Sequence, residues 1–153
     1  MLIDSHCHID DARYDTDREA MIQRAQAKGV GHFVTIGCDL DTSRAAVALA
    51  QQHPFISATI GVHPHEVKLI KDGWYDEFRA LAKSSRVVAY GEIGLDYHYD
   101  HSPREVQRTR FREQVRLARE LRLPIVIHTR EAQEDTIAIL KEEKAGEVGG
   151  VFH

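Results

Sequence analysis

Val87–His128 reads VVAYGEIGLDYHYDHSPREVQRTRFREQVRLARELRLPIVIH, and the fold follows from it. Val87–Ile93 is a short, largely apolar run, Ser102–Leu121 carries a helical period, and Pro124–His128 is a second short apolar run. Strand, helix and strand in that order make a βαβ unit, whose strands lie parallel because the helix returns the chain to its starting edge. Ser102 is expected as the N-cap, Pro103 as the first helical residue and Glu105 as the partner in a capping box. Both strands are apolar over most of their length instead of alternating, as in a sheet covered on both faces.

The alternation extends in both directions. Upstream lie strand-like runs at Met1–Ile9, Val30–Gly37 and Phe55–Val62, and downstream one at Gly149–His153. Helical periods fill the gaps at Asp15–Lys28 (with Gly29 as its stop), Ser43–Gln52, Trp74–Lys83 and Glu131–Lys144. The pattern predicts an α/β fold with six parallel strands in a single domain, 1–153. Neither GxGxxG nor GxxxxGK[ST] occurs, so the nucleotide-fold motifs are absent. A (β/α)8 barrel and an open doubly wound sheet both fit this order.

Composition narrows the function. Hydrophobic residues make up 42% and charged residues 29%, enough for a core and a soluble surface. A net charge of −4 excludes a generally basic surface for gripping nucleic acid, though not a local positive site. No apolar run approaches the roughly 20 residues that span a bilayer, so no membrane association is expected. MLIDSHCHIDD at the N-terminus lacks the basic region of a secretory signal, and two cysteines make no disulfide framework; a cytoplasmic, reduced protein is expected.

Histidine is the outlier, with ten residues, roughly three times ordinary usage. His6 and His8 end the first predicted strand, His63 and His65 follow the third, His98 and His101 follow the fourth, and His128 and His153 end the fifth and sixth. Only His32 and His53 lie elsewhere. In parallel α/β folds the C-terminal edge of the strands is where ligands bind. His6 and His8 are two apart on a strand and point to one side, either at a common metal or at separate hydrogen-bond partners, while Cys7 points toward the covering helices. Glu92, at the end of an apolar strand, needs a partner, either a bridged metal pair or a buried Arg or Lys. Together His6, His8, Glu92, His128 and His153 offer five ligands on four strands at one edge, a set suited to Zn, Mn, Fe or Mg.

The neighbours have two readings each. His63 and His65 flank Pro64, as solvated loop residues or as substrate contacts. Asp96 is placed to orient a ligand histidine. Arg130 suits a phosphate, or a surface ion pair with Glu131 or Glu134. Tyr97 and Tyr99 either stack on a base or cover the barrel mouth. Six arginines along Ser102–Leu121 read as a solvated face, with Glu105, Glu113 and Glu120 as partners.

The ordered motifs IDSHCHID, GVHPHEV, GEIGLDY, IHTREA and GGVFH resemble the TatD family of metal-dependent hydrolases over the whole chain. The resemblance implies an amidohydrolase-like (β/α)8 TIM barrel and a deoxyribonuclease, including 3′–5′ exonuclease action on single-stranded DNA. It implies two divalent ions (Zn, Mn or Mg) and a water activated between them. His6 and His8 would be ligands of one ion, Glu92 the carboxylate shared by both and the catalytic acidic residue, and His128 and His153 ligands of the second. His63, His65 and Arg130 match positions near the substrate phosphate. The family also has an aspartate after strand eight, whereas the sixth predicted strand here ends at His153. The expected architecture is thus the first six strands of the barrel, with two open edges. Hydrolysis of another ester or of an amide, and an inactive fragment, are the alternative functions.

Overall fold

A computed structural model describes residues 1–153. The chain forms strand β1 (Leu2–Cys7), helix α1 (Arg18–Ala27), β2 (Val30–Ile36), α2 (Leu40–Gln52), β3 (Ile56–Ile60), α3 (Trp74–Leu81), β4 (Val87–Asp96), α4 (Arg104–Leu121), β5 (Ile125–Arg130), α5 (Gln133–Glu142) and β6 (Gly150–Phe152). All neighbouring strands pair in parallel, and the sheet order is the chain order, β1 to β6. No helix is long and apolar enough to cross a membrane.

The sheet is a curled half-barrel. Five interstrand gaps would separate β1 from β6 by roughly 24 Å in a flat sheet. Yet the ring of His6, at the end of β1, stacks on that of His153, just past β6, with centroids 3.5 Å apart. Only strong curvature brings the two ends together. The buried core packs the helices onto the outer face, with Phe78, Tyr90, Phe111, Ile22 and Ile139 among its largest fully buried side chains.

Buried amides tie helix α4 to the strand ends that carry the predicted site. Gln107 accepts from the Asp96 backbone N–H (2.8 Å) and donates to the Asp96 carbonyl (3.0 Å), so it replaces the ladder bonds that end there. Gln114 does the same for Val62, at 2.8 and 3.0 Å. At β4, Gly94 is paired with His128 and has φ +147°, and an added Cβ would run into the His128 carbonyl oxygen. Only glycine lets the two strands approach so closely.

Three local expectations are corrected. Helix α4 starts at Arg104 with Pro103 as N-cap and no side-chain cap. The hydroxyl of Ser102 instead donates to the His65 carbonyl (2.8 Å) and accepts from the Lys68 N–H, holding the His63–His65 loop. Helix α2 begins at Leu40, three residues before the predicted Ser43, because Asp39 and Thr42 form a reciprocal capping box. The arginines of α4 are indeed paired, but Arg112, Arg116 and Arg119 reach across to Glu142, Glu143 and Glu147, while Glu120 pairs with Arg79 of α3. Arg108 and Arg110 do pair within the helix, with Glu105 and Glu113 as expected, so the charged face both bridges within α4 and joins it to its neighbours.

Candidate metal centre

Glu92 is the hub of the C-terminal edge. It is 3% exposed, and its only ion-pair partners are imidazoles. Oε1 lies 2.9 Å from His128 Nδ1, 3.5 Å from His153 Nε2 and 3.9 Å from His63 Nε2, and Oε2 lies 3.4 Å from His6 Nε2. No Arg or Lys reaches it, so the buried salt bridge left open by the sequence is absent. Burial by itself would raise this carboxyl, but hydrogen bonds from His128 and His6 hold it well below the ordinary carboxylate range.

The donors come from strands β1, β4 and β5 and from the residues just past β1, β2, β3 and β6, and they fall into three trios that share Glu92. These are His6–Glu92–His153, His8–Cys38–Glu92 and His63–Glu92–His128, each with donor atoms within 4.8 Å of one another. The expected ligands His6, His8, Glu92, His128 and His153 are therefore gathered, although His6 and His8 fall in different trios, with ring centroids 5.5 Å apart. Donors about 2.1 Å from a tetrahedral ion stand about 3.4 Å apart. The 3.4, 3.5 and 3.9 Å separations around Glu92 are of that size. An anionic carboxylate ringed by imidazoles with no fixed cation is a donor set that fits divalent ions.

Proton placement follows from burial and neighbours. Burial pushes His63 down to about 3, leaving a neutral imidazole with a free lone pair at neutral pH. Burial also lowers His153, less strongly. Burial alone would lower His128, but Glu92 and Asp96 on its two ring nitrogens raise it instead. Nδ1 of His8 lies 3.2 Å from the Ile36 carbonyl, which fixes the ring plane.

Asp96 supports this group from below. Its Oδ2 accepts from His65 Nε2 (2.9 Å) and His128 Nε2 (3.0 Å), and Oδ1 accepts from the backbone N–H groups of His98 and Tyr99. Burial would raise it, yet these donors, Tyr99 N–H foremost, hold it at about 2. His63 and His65 are half-buried and packed edge to face, 4.4 Å apart, not solvated.

Arg130 stands apart from the cluster. It is exposed, has no carboxylate partner, and lies 4.8 Å over the ring of Tyr99, so the surface pair with Glu131 or Glu134 does not form. The two tyrosines divide the roles left open for them. Tyr97 is locked into the wall, its hydroxyl donating to Asp135 and accepting from Arg108. Tyr99 is 49% exposed and stacks parallel to His101.

Cys38 is the donor that periodicity did not distinguish from a core thiol. The signal was its position. It follows VTIG at the end of β2, as His6 follows the body of β1. Burial and the nearby Glu92 carboxylate push its thiol up to about 12.

A family model described as "TatD related DNase" matches residues 3–153. The chain is 44% identical over 153 residues to a Bacillus subtilis protein named as an uncharacterized metal-dependent hydrolase, YabD, covering 100% of this chain and 60% of that one. It is 38% identical over 152 residues to the 3′–5′ ssDNA/RNA exonuclease TatD of Cronobacter sakazakii, covering 99% and 58%. It therefore spans about three-fifths of the length of the curated relatives it matches. Among solved structures, the TatD homologue YJJV of Escherichia coli superposes with a TM-score of 0.88 at 31% identity, covering 95% of this chain and 57% of that one. A TatD-family hydrolase from Entamoeba histolytica gives 0.90 at 28%, covering 99% and 57%.

Proposed function

The chain belongs to the TatD-related DNase family, and on that premise we propose that it is a metal-dependent hydrolase of DNA phosphodiester bonds, a 3′–5′ exonuclease acting on single strands. One observation carries the reading. Glu92 is buried at the C-terminal edge of a parallel sheet with four imidazoles and no fixed cation around it. Two divalent ions are the proposed cofactor, with Glu92 as the shared ligand and His6, His8, His128 and His153 as imidazole donors. Bound there, such ions supply Lewis acidity to a water and positive charge to phosphoryl oxygens.

The chain's own residues supply the rest. Asp96 fixes the rotations of His65 and His128 by accepting a hydrogen bond from each. Its charge stays in place across neutral pH. His63 and His65, which flank Pro64, are the proposed contacts to a substrate phosphate. Arg130 is free of carboxylate partners and offers its planar fork to a neighbouring phosphate. Tyr99, with Arg130 over one ring face and His101 parallel to it, presents a flat surface on which an unpaired base stacks. A duplex hides its base faces, and this is the basis of the proposed single-strand preference. The net charge of −4 leaves the attraction of a polyanion to the bound ions and Arg130.

The test is cleavage of end-labelled single-stranded DNA by the 153-residue chain, with and without chelator. Chelation is expected to abolish cleavage, and Glu92→Gln to lower both ion retention and rate by more than about a hundredfold. His128→Ala is expected to be similarly impaired. Equal activity in the unsubstituted chain and His128→Ala would sink the proposal.

A further inference from the structure

The two cysteines lie on opposite sides of the barrel wall. Cys7 donates to the Val34 carbonyl at 3.3 Å and packs against the core. Cys38, one residue past Gly37 at the rim of β2, turns into the centre. Its Sγ lies 4.0 Å from His8 Nδ1, and Sγ, a His8 ring nitrogen and a Glu92 oxygen all lie within 4.8 Å of one another. His8 and Cys38 of this trio also line a cleft of about 590 Å³, together with Asp10, Arg13 and Thr42.

The backbone leaves Cys38 little freedom. Its N–H donates to Thr42 Oγ1 at 2.9 Å, inside the Asp39–Thr42 capping box of α2. Its carbonyl accepts from the His63 N–H at 2.8 Å, which links the turn directly to the histidine loop of the site. The thiol has no short hydrogen bond of its own. The Ile36 carbonyl lies 3.9 Å away and His8 lies 4.0 Å away. A core thiol would be covered by apolar neighbours, whereas this one faces an imidazole, a buried carboxylate and an open cleft.

We propose that Cys38 is a thiolate ligand of the ion held by His8 and Glu92, and that it biases the centre toward thiophilic ions, Zn²⁺, Co²⁺ or Cd²⁺, over Mg²⁺ and Mn²⁺. The inference rests on the metal-centre reading but not on the identity of the substrate. On coordination the thiol proton passes to solvent and a sulfur–metal bond forms, with no change of oxidation state. A tetrahedral ion with sulfur at about 2.3 Å and nitrogen at about 2.1 Å holds those donors about 3.6 Å apart. The observed Sγ to His8 separation of 4.0 Å is close to that value. A soft sulfur among nitrogen and oxygen donors shifts selectivity away from hard ions, which prefer oxygen.

Cobalt titration of the metal-free 153-residue chain tests this. The unsubstituted chain is expected to develop both visible d–d bands and a near-ultraviolet thiolate-to-cobalt charge-transfer band. Cys38→Ser keeps the d–d bands and loses the charge-transfer band, whereas Cys7→Ser keeps both. In competition titrations Cys38→Ser weakens Cd²⁺ binding by at least about tenfold, the lower range for disturbing a metal's surroundings, and leaves Mn²⁺ binding unchanged. Because the chain has only two cysteines, a charge-transfer band that survives Cys7→Ser assigns the sulfur to Cys38 even if Cys38→Ser fails to fold. Visible bands without the charge-transfer band in the unsubstituted chain overturn the thiolate ligand and leave the metal centre standing. So does a charge-transfer band that persists in a folded Cys38→Ser or disappears in Cys7→Ser. No cobalt bands in any form overturn the metal centre and the proposal together.

Discussion

The middle of the sheet and its two edges are built differently. Every residue of β3 and all but Val88 of β4 are buried, and both strands are paired on both sides. At the edges, Leu2 and Ile3 of β1 and Val151 and Phe152 of β6 are each more than half exposed. The candidate centre spans both kinds of ground. Glu92, Asp96 and His63 belong to β4 and the loop after β3, with His128 on the neighbouring β5, whereas His6, His8 and His153 ride on the edge strands or just beyond them. The difference teaches that half the centre is held by a packed wall and half by strands with one free side. The packed half is the organised one.

Five substitutions would break or sharpen this contrast. Gly94→Ala is expected to act most strongly, since a Cβ at φ +147° meets the His128 carbonyl. It should cost about 3 kcal/mol, lowering the melting temperature by roughly 10 °C. A change within the error of calorimetry would show that β4 and β5 yield easily. Next comes a comparison of two ligands by calorimetric titration with Zn²⁺. His128→Ala should weaken binding about tenfold more than His153→Ala, because two carboxylates fix the first ring and the second is 45% exposed. Equal losses would mean that the edge is as well organised as the middle.

Tyr90→Phe probes the one imperfection in the packed wall. Its hydroxyl is the only buried side-chain polar atom without a hydrogen-bond partner, and removing it should raise stability by about 1 kcal/mol in denaturant unfolding. Destabilisation would mean that the hydroxyl has a partner of its own. Smallest of all, Phe152→Ser at the exposed edge should change stability by less than about 0.5 kcal/mol. A larger loss would show that β6 is covered in solution.

The fold was legible from apolar runs that end in polar residues, because a parallel strand buried on both faces has nowhere else to put them. This is why His6, His63, His128 and Glu92 could be located by counting along strands. What escaped was set by partners distant in sequence. Strand β4 runs on to Asp96 because it stays paired with β5 through Asp96 and Arg130, while Gln107, on the far side of a turn, takes the Asp96 N–H and carbonyl. Ser102 has the residue type of a cap, but its hydroxyl is drawn to the His65 loop, a contact 37 residues away. The start of α2 was hidden because its box pairs an aspartate with a threonine, not with the usual Glu or Gln at the third position. Cys38 was hidden because a thiol after an apolar run has the same local sequence whether it faces the core or the cleft.

The strictly sequential strand order has a consequence for how the molecule is made. Each strand hydrogen-bonds only to the one synthesised just before it and the one made just after. A chain emerging from the ribosome can lay down the wall one βα unit at a time, with no strand waiting for a partner beyond the next unit. Glu92 arrives with His6 and His63 already upstream to receive its charge, and His128 and His153 follow.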